Sequence, residues 1–204
     1  MKKLIIILTI GAIILSCGES NQKEVTLKSS SENKTIETSQ KEVKSISNTN
    51  VLCQVNGEKW AYTSGDGLVA TNSSTKVRTA TITFKKKLEK GCESIQLEYD
   101  VDKNALTTVR VQLKRPSKEG KTITAFYTQY GDKLHLDPKA SLSGTVSLNE
   151  DSRKISGTAE IVISNDYEQD QLANPEDVLI TISNLSFAKV SYSDMDDLKK
   201  MLNK

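Results

Sequence analysis

The residues best suited to chemistry in this 204-residue chain are one histidine and three cysteines. Any Ser-His-Asp or Cys-His catalysis would have to use His135, because it is the only histidine. The local alternation predicts a short strand with Lys133, His135 and Asp137 on one face, among charges. The sequence contains no G-x-S-x-G elbow, H-E-x-x-H pair or glycine-rich phosphate loop. We therefore expect His135 to be an exposed strand residue, and no catalytic residue is predicted.

The first cysteine, Cys17, closes an apolar run from Leu4 to Leu15 that follows two lysines. A short basic region before such a run is typical of an export signal, and the run falls short of the roughly 20 residues that a membrane-spanning helix needs. Ile14-Leu15-Ser16-Cys17 resembles the lipobox of bacterial lipoproteins. The resemblance implies cleavage before Cys17 and a diacylglycerol on its thiol, with acyl chains as the membrane anchor. The alternative is a plain secretory signal with an accidental cysteine.

The other two cysteines, Cys53 and Cys92, remain for a disulfide once Cys17 carries lipid. An exported protein lies in a compartment where such a bond persists, so the sequence predicts that Cys53 and Cys92 pair. Two separate buried thiols are the alternative. Two cysteines and one histidine far apart in sequence lack the clustered spacing of a metal site, and the sequence predicts no metal and no cofactor.

The charge balance gives no reason to expect a nucleic-acid partner. Removal of Lys2 and Lys3 with the signal leaves 26 acidic residues matched by the remaining basic ones. From Gly18 to Asn50 the chain has no proline, no aromatic residue and few aliphatic ones, which is typical of a disordered segment. The predicted organisation is a signal peptide over residues 1–16, the lipidated cysteine and a disordered tether over 17–50, and a single β domain over 51–204.

The β domain is predicted from period-2 alternation of apolar and polar residues, which is clearest from Ile95 to Val101 and from Val109 to Leu113. Asn56-Gly57 supplies the two positive φ angles of a type I′ turn between strands 51–55 and 59–63. Ser193 begins a short amphipathic helix at the C-terminus. The predicted fold class is all-β: an antiparallel β-sandwich or barrel of about 10–12 short strands with a short C-terminal helix.

The entry hairpin Val55-Asn56-Gly57-Glu58-Lys59-Trp60 has the pattern V-N-G-x-x-W. Together with the lipobox and the polar tether, it resembles a group of small lipoproteins from Bacteroidota, many of unknown function. Ile155-Ser156-Gly157-Thr158 and Ile180-Thr181-Ile182-Ser183-Asn184 resemble the strand patterns with which members of that group end. The resemblance implies a β-sandwich or barrel anchored by lipid to the outer membrane, facing the periplasm or the cell surface. It implies no activity.

The candidate ligand-binding residues are aromatic side chains that could line a carbohydrate or lipid pocket: Trp60, Tyr62, Tyr127 and Tyr130. For Trp60 the alternative is an anchor in the core. The acidic segment from Asn165 to Asp177 could supply oxygen ligands to calcium, although it lacks the glycine and the ligand order of an EF-hand loop, and a solvated loop is the alternative. Glu98 and Asp100 could be paired carboxylates of a glycosidase, but their strand face indicates cross-strand ion pairs instead.

These observations favour a non-catalytic binding or interaction module, anchored by lipid in the cell envelope, with an unknown small ligand or envelope protein as partner. One alternative is an envelope hydrolase acting on glycan or peptide. Another is an inhibitor or immunity-type lipoprotein with a protein partner. A deep apolar cavity would favour a small ligand, whereas a filled core with one exposed apolar patch would favour a protein partner.

Overall fold

The computed structural model of the protein describes residues 50–165 and 167–202. The predicted signal peptide, Cys17 and nearly all of the predicted tether lie outside the described residues. Asn50, the last residue of that tether, already belongs to the first strand. Within the described residues, no helix is both long enough and apolar enough to cross a membrane.

Ten strands, two 3-10 helices and one α-helix make up the described part of the chain. The strands are β1 (Asn50–Val55), β2 (Glu58–Tyr62), β3 (Ser64–Thr71), β4 (Arg78–Lys87), β5 (Cys92–Asp100), β6 (Ala105–Pro116), β7 (Thr122–Tyr130), β8 (Ser141–Asn149), β9 (Lys154–Ser164) and β10 (Leu179–Asp194). The first 3-10 helix spans Gly131–Leu136, the second spans Pro175–Val178, and the α-helix, α1, spans Met195–Leu202.

The strands form one mixed sheet that is not closed into a barrel over the described residues. The order is β2-β1-β10-β3-β4-β5-β6-β7, while β9 pairs with β10 and β8 pairs with β9. All pairs are antiparallel except β10 with β3, which run parallel over Tyr192–Asp194. The prediction of a β-rich sandwich with about ten strands and a C-terminal helix is confirmed, and the short parallel pair was not predicted.

Strand β10 joins the two layers of the molecule. Its 16 residues pair with β1 and β9 and, at the far end, with β3. Two irregularities in its pairing with β9 contain Asn184 and Lys189, both with positive φ. Bulges of this kind bend a strand and increase its twist, so β10 can serve both layers. The alternation in the sequence predicts two separate strands here, 178–183 and 186–192, and the structure joins them into one.

The core lies between a layer made of β2, β1, β10, β9 and β8 and a layer made of β3 to β7. The rings of Phe84 on β4 and Phe187 on β10 meet edge to face, with centroids 5.4 Å apart. Across the same interior, the hydroxyl of Tyr99 donates to the backbone oxygen of Thr158 on β9 (3.0 Å). Apolar side chains from both layers thus bury one common core, as the alternation in the sequence predicts.

The entry hairpin is confirmed. Asn56 has φ of 49° and Gly57 has φ of 82°, which are the positive angles of a type I′ turn. The backbone N–H of Asn56 donates to Thr181 O, and its side-chain Oδ1 accepts from the N–H of Thr181, each at 2.8 Å. The turn is therefore fixed to β10 as well as to its own strands.

The segment around His135 was predicted wrongly. Lys133 to Leu136 belongs to the first 3-10 helix and not to a strand. Its alternating K-L-H-L pattern fits a strand, but the segment is short and Asp137 closes it with a backbone bond to Leu134 O. A short apolar alternation does not determine secondary structure when the chain offers no strand to pair with.

Candidate functional site

The four aromatic residues that the sequence suggested for a ligand pocket differ in burial and in the partners that they contact. Trp60 is buried, and its Nε1 donates to Glu93 Oε2 (2.9 Å). Tyr127 is fully buried and donates to the backbone oxygen of Asp177 (2.6 Å). Tyr62 packs edge to face on Phe84 with centroids 4.9 Å apart. Of the four, only Tyr130 is exposed.

Two buried acids organise one end of the sandwich. Glu93 accepts from Trp60 and from the backbone N–H of Lys114 (3.1 Å), and it pairs with Lys86 Nζ (3.2 Å). Asp177 pairs with Arg115 Nε (2.7 Å). We call Trp60, Glu93, Arg115 and Asp177 the Arg115 cluster. Each of its two carboxylates has a cation and a second donor, as buried carboxylates require.

Two recesses flank the Arg115 cluster. An open cleft of about 710 Å³ is lined by Val55, Glu58, Arg115, Asn174, Glu176 and Asp177, and a small recess of about 80 Å³ lies between Trp60, Glu93 and Arg115. Arg115 Nε and Asp177 Oδ1 form an ion pair at 2.7 Å, so these two charges neutralise each other. The other charged residues on the wall of the cleft are Glu58 and Glu176, which are both acidic and exposed and form no ion pair with a described residue.

A second groove lies on the outer side of β7 and is the better candidate for a binding site. Its volume is about 420 Å³, and its walls are Thr128, Gln129, Tyr130, Lys133, Leu136, Asp137 and Tyr167. We call these residues the β7 groove. Tyr167 and Leu136 are 73% and 70% exposed, and Phe126, beyond Thr128 on the same strand face, is 44% exposed. Large apolar side chains left open to solvent on one side of a soluble domain are typical of an interaction site.

The local sequence explains how the β7 groove is built. Ala125, Tyr127 and Gln129 point into the core, so Phe126 and Tyr130 must point outward. The first 3-10 helix follows Tyr130 directly and brings Lys133 and Leu136 beside it. Gly131 permits this close turn, because a Cβ there would lie 3.2 Å from the backbone oxygen of Thr107.

The charges around the β7 groove are unequal. Lys133 Nζ lies 5.0 Å from the centroid of the Tyr130 ring, and the guanidinium carbon of Arg110 lies 5.7 Å from the same centroid. Arg110 is neutralised by an ion pair with Glu98. Lys133 makes no ion pair with any residue that the structure describes. The groove therefore presents one uncompensated ammonium group beside aromatic rings.

The acid of the β7 groove, Asp137, is held in its ionised form. Ser164 Oγ donates to its Oδ2 (2.8 Å) and the backbone N–H of Lys139 donates to its Oδ1 (3.0 Å). The hydrogen bond from Ser164, followed by the one from Lys139, lowers the pKa of Asp137 below its ordinary value. An acid held in this way is a poor proton donor at neutral pH, and it fixes the wall of the groove to β9.

The acidic insertion between β9 and β10 covers a strand edge. Glu168 Oε2 accepts from the backbone N–H of Phe126 (3.0 Å) and from Asn165 Nδ2 (2.9 Å). Leu172 makes an isolated bridge with Ser117, and Ala173 N–H donates to Pro116 O. Among residues 50–165 and 167–202, no three acidic, histidine or cysteine side chains are placed to share a metal ion. Glu168 and Asp177 instead serve protein donors, and the insertion shields the open edge of β7.

The remaining candidates for chemistry are separated or engaged. His135 is exposed on the first 3-10 helix. Glu98 pairs with Arg110, while Asp100 pairs with Lys103 Nζ (3.2 Å) and accepts from the Lys103 backbone N–H, which lowers the pKa of Asp100. Glu98 thus forms the cross-strand ion pair that the sequence indicated, whereas Asp100 pairs within the turn that follows its own strand.

The predicted disulfide between Cys53 and Cys92 is not formed, because Cys53 is a free, buried thiol. In the register of the sheet, Cys53 lies opposite Trp60 on β2, whereas Cys92 lies opposite Lys87 on β4. The prediction rested on the cellular compartment and on the number of cysteines. Neither gives the distance between the two Cα atoms, which must be about 4.4–6.8 Å for a disulfide. Burial raises the pKa of the Cys53 thiol to about 12, so it stays protonated and behaves as a core residue.

Comparisons with protein-family models, with curated proteins and with solved structures found no significant match for this chain. The assignment of the candidate site therefore rests on the geometry of the described residues alone. Sequence reasoning identified Tyr130 but not Lys133, Leu136 or Tyr167 as neighbours in one groove. The available signal was the outward position of two large aromatics, Phe126 and Tyr130, on a strand whose other face is buried.

Proposed function

We propose that this protein is a lipid-anchored module of the cell envelope that binds a small ligand in the β7 groove without changing it chemically. The observation that carries the proposal is the exposure of Tyr130, Leu136 and Tyr167 side by side around a groove that also contains polar side chains. Apolar surfaces that hold a ligand and a few polar groups that orient it are the usual composition of a binding site.

The dimensions of the groove favour a small ligand over a protein partner. A volume of about 420 Å³ falls within the range of roughly 300–1,000 Å³ that is typical of small-molecule sites. A stable protein interface needs about 800 Å² from each partner, which is much more than these few side chains offer. An inhibitor or immunity-type lipoprotein would need the broader surface, so we rank that alternative second.

The chemistry of the groove favours binding over hydrolysis. Its carboxylate, Asp137, is stabilised as an anion by Ser164 and Lys139, whereas a general acid needs a pKa near the working pH. Lys133 lies against the Tyr130 ring and not against a nucleophile. These contacts orient and attract a ligand, and they support the binding module against the envelope hydrolase.

The anchor of the module rests on the N-terminal sequence. We propose that Cys17 carries the lipid and that the chain reaches the outer membrane, because the run from Leu4 to Cys17 resembles a lipoprotein signal. Cys17→Ser should abolish incorporation of a tagged fatty acid during growth, since the acyl acceptor is that thiol. Label retained on the Ser variant would contradict the anchor but would leave the groove proposal standing.

The binding proposal is tested by NMR on the full chain in detergent micelles. A panel of di- to tetrasaccharides, neutral and acidic, is added to isotope-labelled protein, because sugar rings offer both an apolar face and hydroxyl groups. We expect the backbone resonances of Thr128, Tyr130, Lys133 and Tyr167 to move first. Shifts confined to the cleft beside Arg115, or no shifts with any saccharide, would contradict the proposal.

A further inference from the structure

We infer that the ligand of the β7 groove is a saccharide that carries a carboxylate, such as a uronic-acid unit, with Lys133 as the residue that selects the acidic form. The inference rests on the proposed function, because it names the ligand class of the same groove. It follows from how the charges, the ring faces and the hydrogen-bonding groups are distributed among the residues that the structure describes.

The first step concerns charge. Arg110 beside the groove is paired with Glu98, and Asp137 within it is satisfied by Ser164 and Lys139. Lys133 is exposed and forms no ion pair with a described residue. Asp137 is a second charge in the groove, but both of its oxygens accept hydrogen bonds and the Lys139 ammonium is close enough to lower its pKa. Lys133 is therefore the charged group of the groove that has no partner among the described residues, and a negative group on a ligand would complement it.

The second step concerns the kind of anion. A phosphate is usually held by several backbone N–H groups or by the two-pronged guanidinium of arginine. Lys133 instead offers a single ammonium on a flexible side chain. The guanidinium of Arg110, beside the groove, is already paired with Glu98. One point charge beside an apolar wall suits a monoanionic carboxylate.

The third step concerns the body of the ligand. Lys133 and Arg110 both approach the ring of Tyr130, so that ring is already in contact with two cations. Tyr167 is 73% exposed and has no ring partner among the described residues, which leaves its face open for packing. Thr128 adds a hydrogen-bonding side chain to the wall. An apolar ring face together with many hydroxyl groups is the chemistry of a pyranose.

The fourth step concerns the alternative cleft beside Arg115, which does not share these properties. Its guanidinium is paired with Asp177, and its free charges, Glu58 and Glu176, are both negative and exposed. That cleft would repel an acidic saccharide. The two recesses therefore favour ligands of opposite charge. Of the two, only the β7 groove combines an exposed aromatic ring with a cation that has no ion-pair partner among the described residues.

The test is an NMR titration of the full chain in detergent micelles with a uronic-acid trisaccharide and with the same trisaccharide after chemical reduction of its carboxyl groups. The pair differs only in charge. Dissociation constants are taken from the resonances of Thr128, Tyr130 and Tyr167. We expect the acidic trisaccharide to bind roughly five- to tenfold more tightly, because a hydrogen bond to a charged group exceeds a neutral one by that order.

Lys133→Gln should remove this preference and leave binding of the reduced trisaccharide within about twofold, because glutamine keeps a polar side chain but removes the charge. Lys90→Gln is the matched control: Lys90 is exposed in the turn before β5 and does not line the groove. It should leave both constants unchanged. A general attraction between the acidic sugar and surface lysines would lower affinity in both variants alike and would overturn the inference.

Equal affinity of the wild-type chain for the two trisaccharides overturns the inference while the groove proposal stands. Binding of neither trisaccharide also overturns it. In that case the proposed function survives only if another saccharide of the panel moves the groove resonances. An unchanged preference in Lys133→Gln would show that another cation selects the carboxylate, which contradicts the assigned role of Lys133.

Discussion

The Arg115 cluster and the β7 groove contain the same kinds of residue but use them differently. Both have an aromatic residue, a cation and a carboxylate. In the Arg115 cluster, Trp60 donates to Glu93, and Arg115 pairs with Asp177 over 2.7 Å. In the β7 groove, Tyr167 is left open to solvent and Lys133 has no carboxylate partner among the described residues. The first region uses its polar groups within the protein, whereas the second leaves the Lys133 ammonium and the Tyr167 ring available.

The difference shows that residue type alone does not separate a structural centre from a binding site. Buried donors and acceptors must be satisfied, so a closed set of partners indicates stability. Exposed aromatic residues and an unpaired cation add little to stability and remain free to contact a ligand. We therefore expect mutations in the Arg115 cluster to lower stability, and mutations in the β7 groove to lower binding.

The largest effect is expected for Trp60→Ala. Removal of this buried ring should lower the free energy of unfolding by about 3–5 kcal/mol, because it leaves a cavity and takes the indole donor from Glu93. Trp60→Phe is the control: it keeps most of the volume and loses only the hydrogen bond, so a smaller loss of about 1–3 kcal/mol is expected. Urea unfolding curves measure both. Equal losses in the two variants would show that packing contributes little here.

The next effect is expected for Arg115→Ala. It should lower the free energy of unfolding by about 3 kcal/mol, because Asp177 would stay buried without its cation. Arg110→Ala is the matched control, since its ion pair with Glu98 lies on the outer sheet face and should contribute at most about 1 kcal/mol. A double-mutant cycle with Asp177→Ala isolates the pair. Additive effects in that cycle would contradict a direct interaction.

A smaller, pH-dependent effect is expected for Asp137→Asn. Since the hydrogen bonds from Ser164 and Lys139 lower the pKa of Asp137, its stabilisation is present above the unfolded-state pKa of about 3.9 and is lost as the pH falls through the lower folded-state value. The stability gap between wild type and variant should therefore be open at pH 7 and should close as the pH falls through the folded-state pKa of Asp137. Asp132→Asn, on the same 3-10 helix, is the control. A gap that widens in acid would reverse the assigned sign.

The smallest effect is expected for His135→Ala. His135 is exposed, so its removal should change the melting temperature by no more than a surface substitution does, within about 0.5 kcal/mol of stability. A melting curve is recorded beside a hydrolase panel on the wild-type chain. Turnover that disappears in the variant while its melting temperature is unchanged would favour the envelope hydrolase over the binding module.

Much of the fold could be predicted because strand alternation and turn type depend on residues that are close together in the sequence. Strand β5 alternates buried and half-buried residues with period 2, and the Asn56-Gly57 turn needs positive φ at both positions, as observed. The continuity of β10 could not be predicted, because Asn184 and Lys189 interrupt the alternation and only pairing with β9 shows that the strand continues. Long-range pairing decides such cases, and one sequence does not contain it.

The candidate site was less predictable because it combines distant segments. Tyr130 on β7 could be singled out as an aromatic residue, but its neighbour Tyr167 comes from the insertion after β9. From the sequence, the acids of that insertion were either possible calcium ligands or part of a solvated loop, whereas Glu168 binds the edge of β7. The prediction of a Cys53–Cys92 disulfide failed for a related reason, because the sequence does not give the distance between two strands.

The most direct test of the contrast between the two regions compares Tyr167→Ala with Met201→Ala. The two side chains are almost equally exposed, at 73% and 72%, but Met201 lies on α1 and only Tyr167 lines the β7 groove. For each variant, the free energy of unfolding and the affinity for the acidic trisaccharide are measured on the same preparation. We predict that Tyr167→Ala weakens binding at least about tenfold while stability changes by less than about 0.5 kcal/mol, and that Met201→Ala changes neither. Retained binding in Tyr167→Ala, or a loss of stability in proportion to the loss of binding, would contradict the assignment of the groove as the binding site.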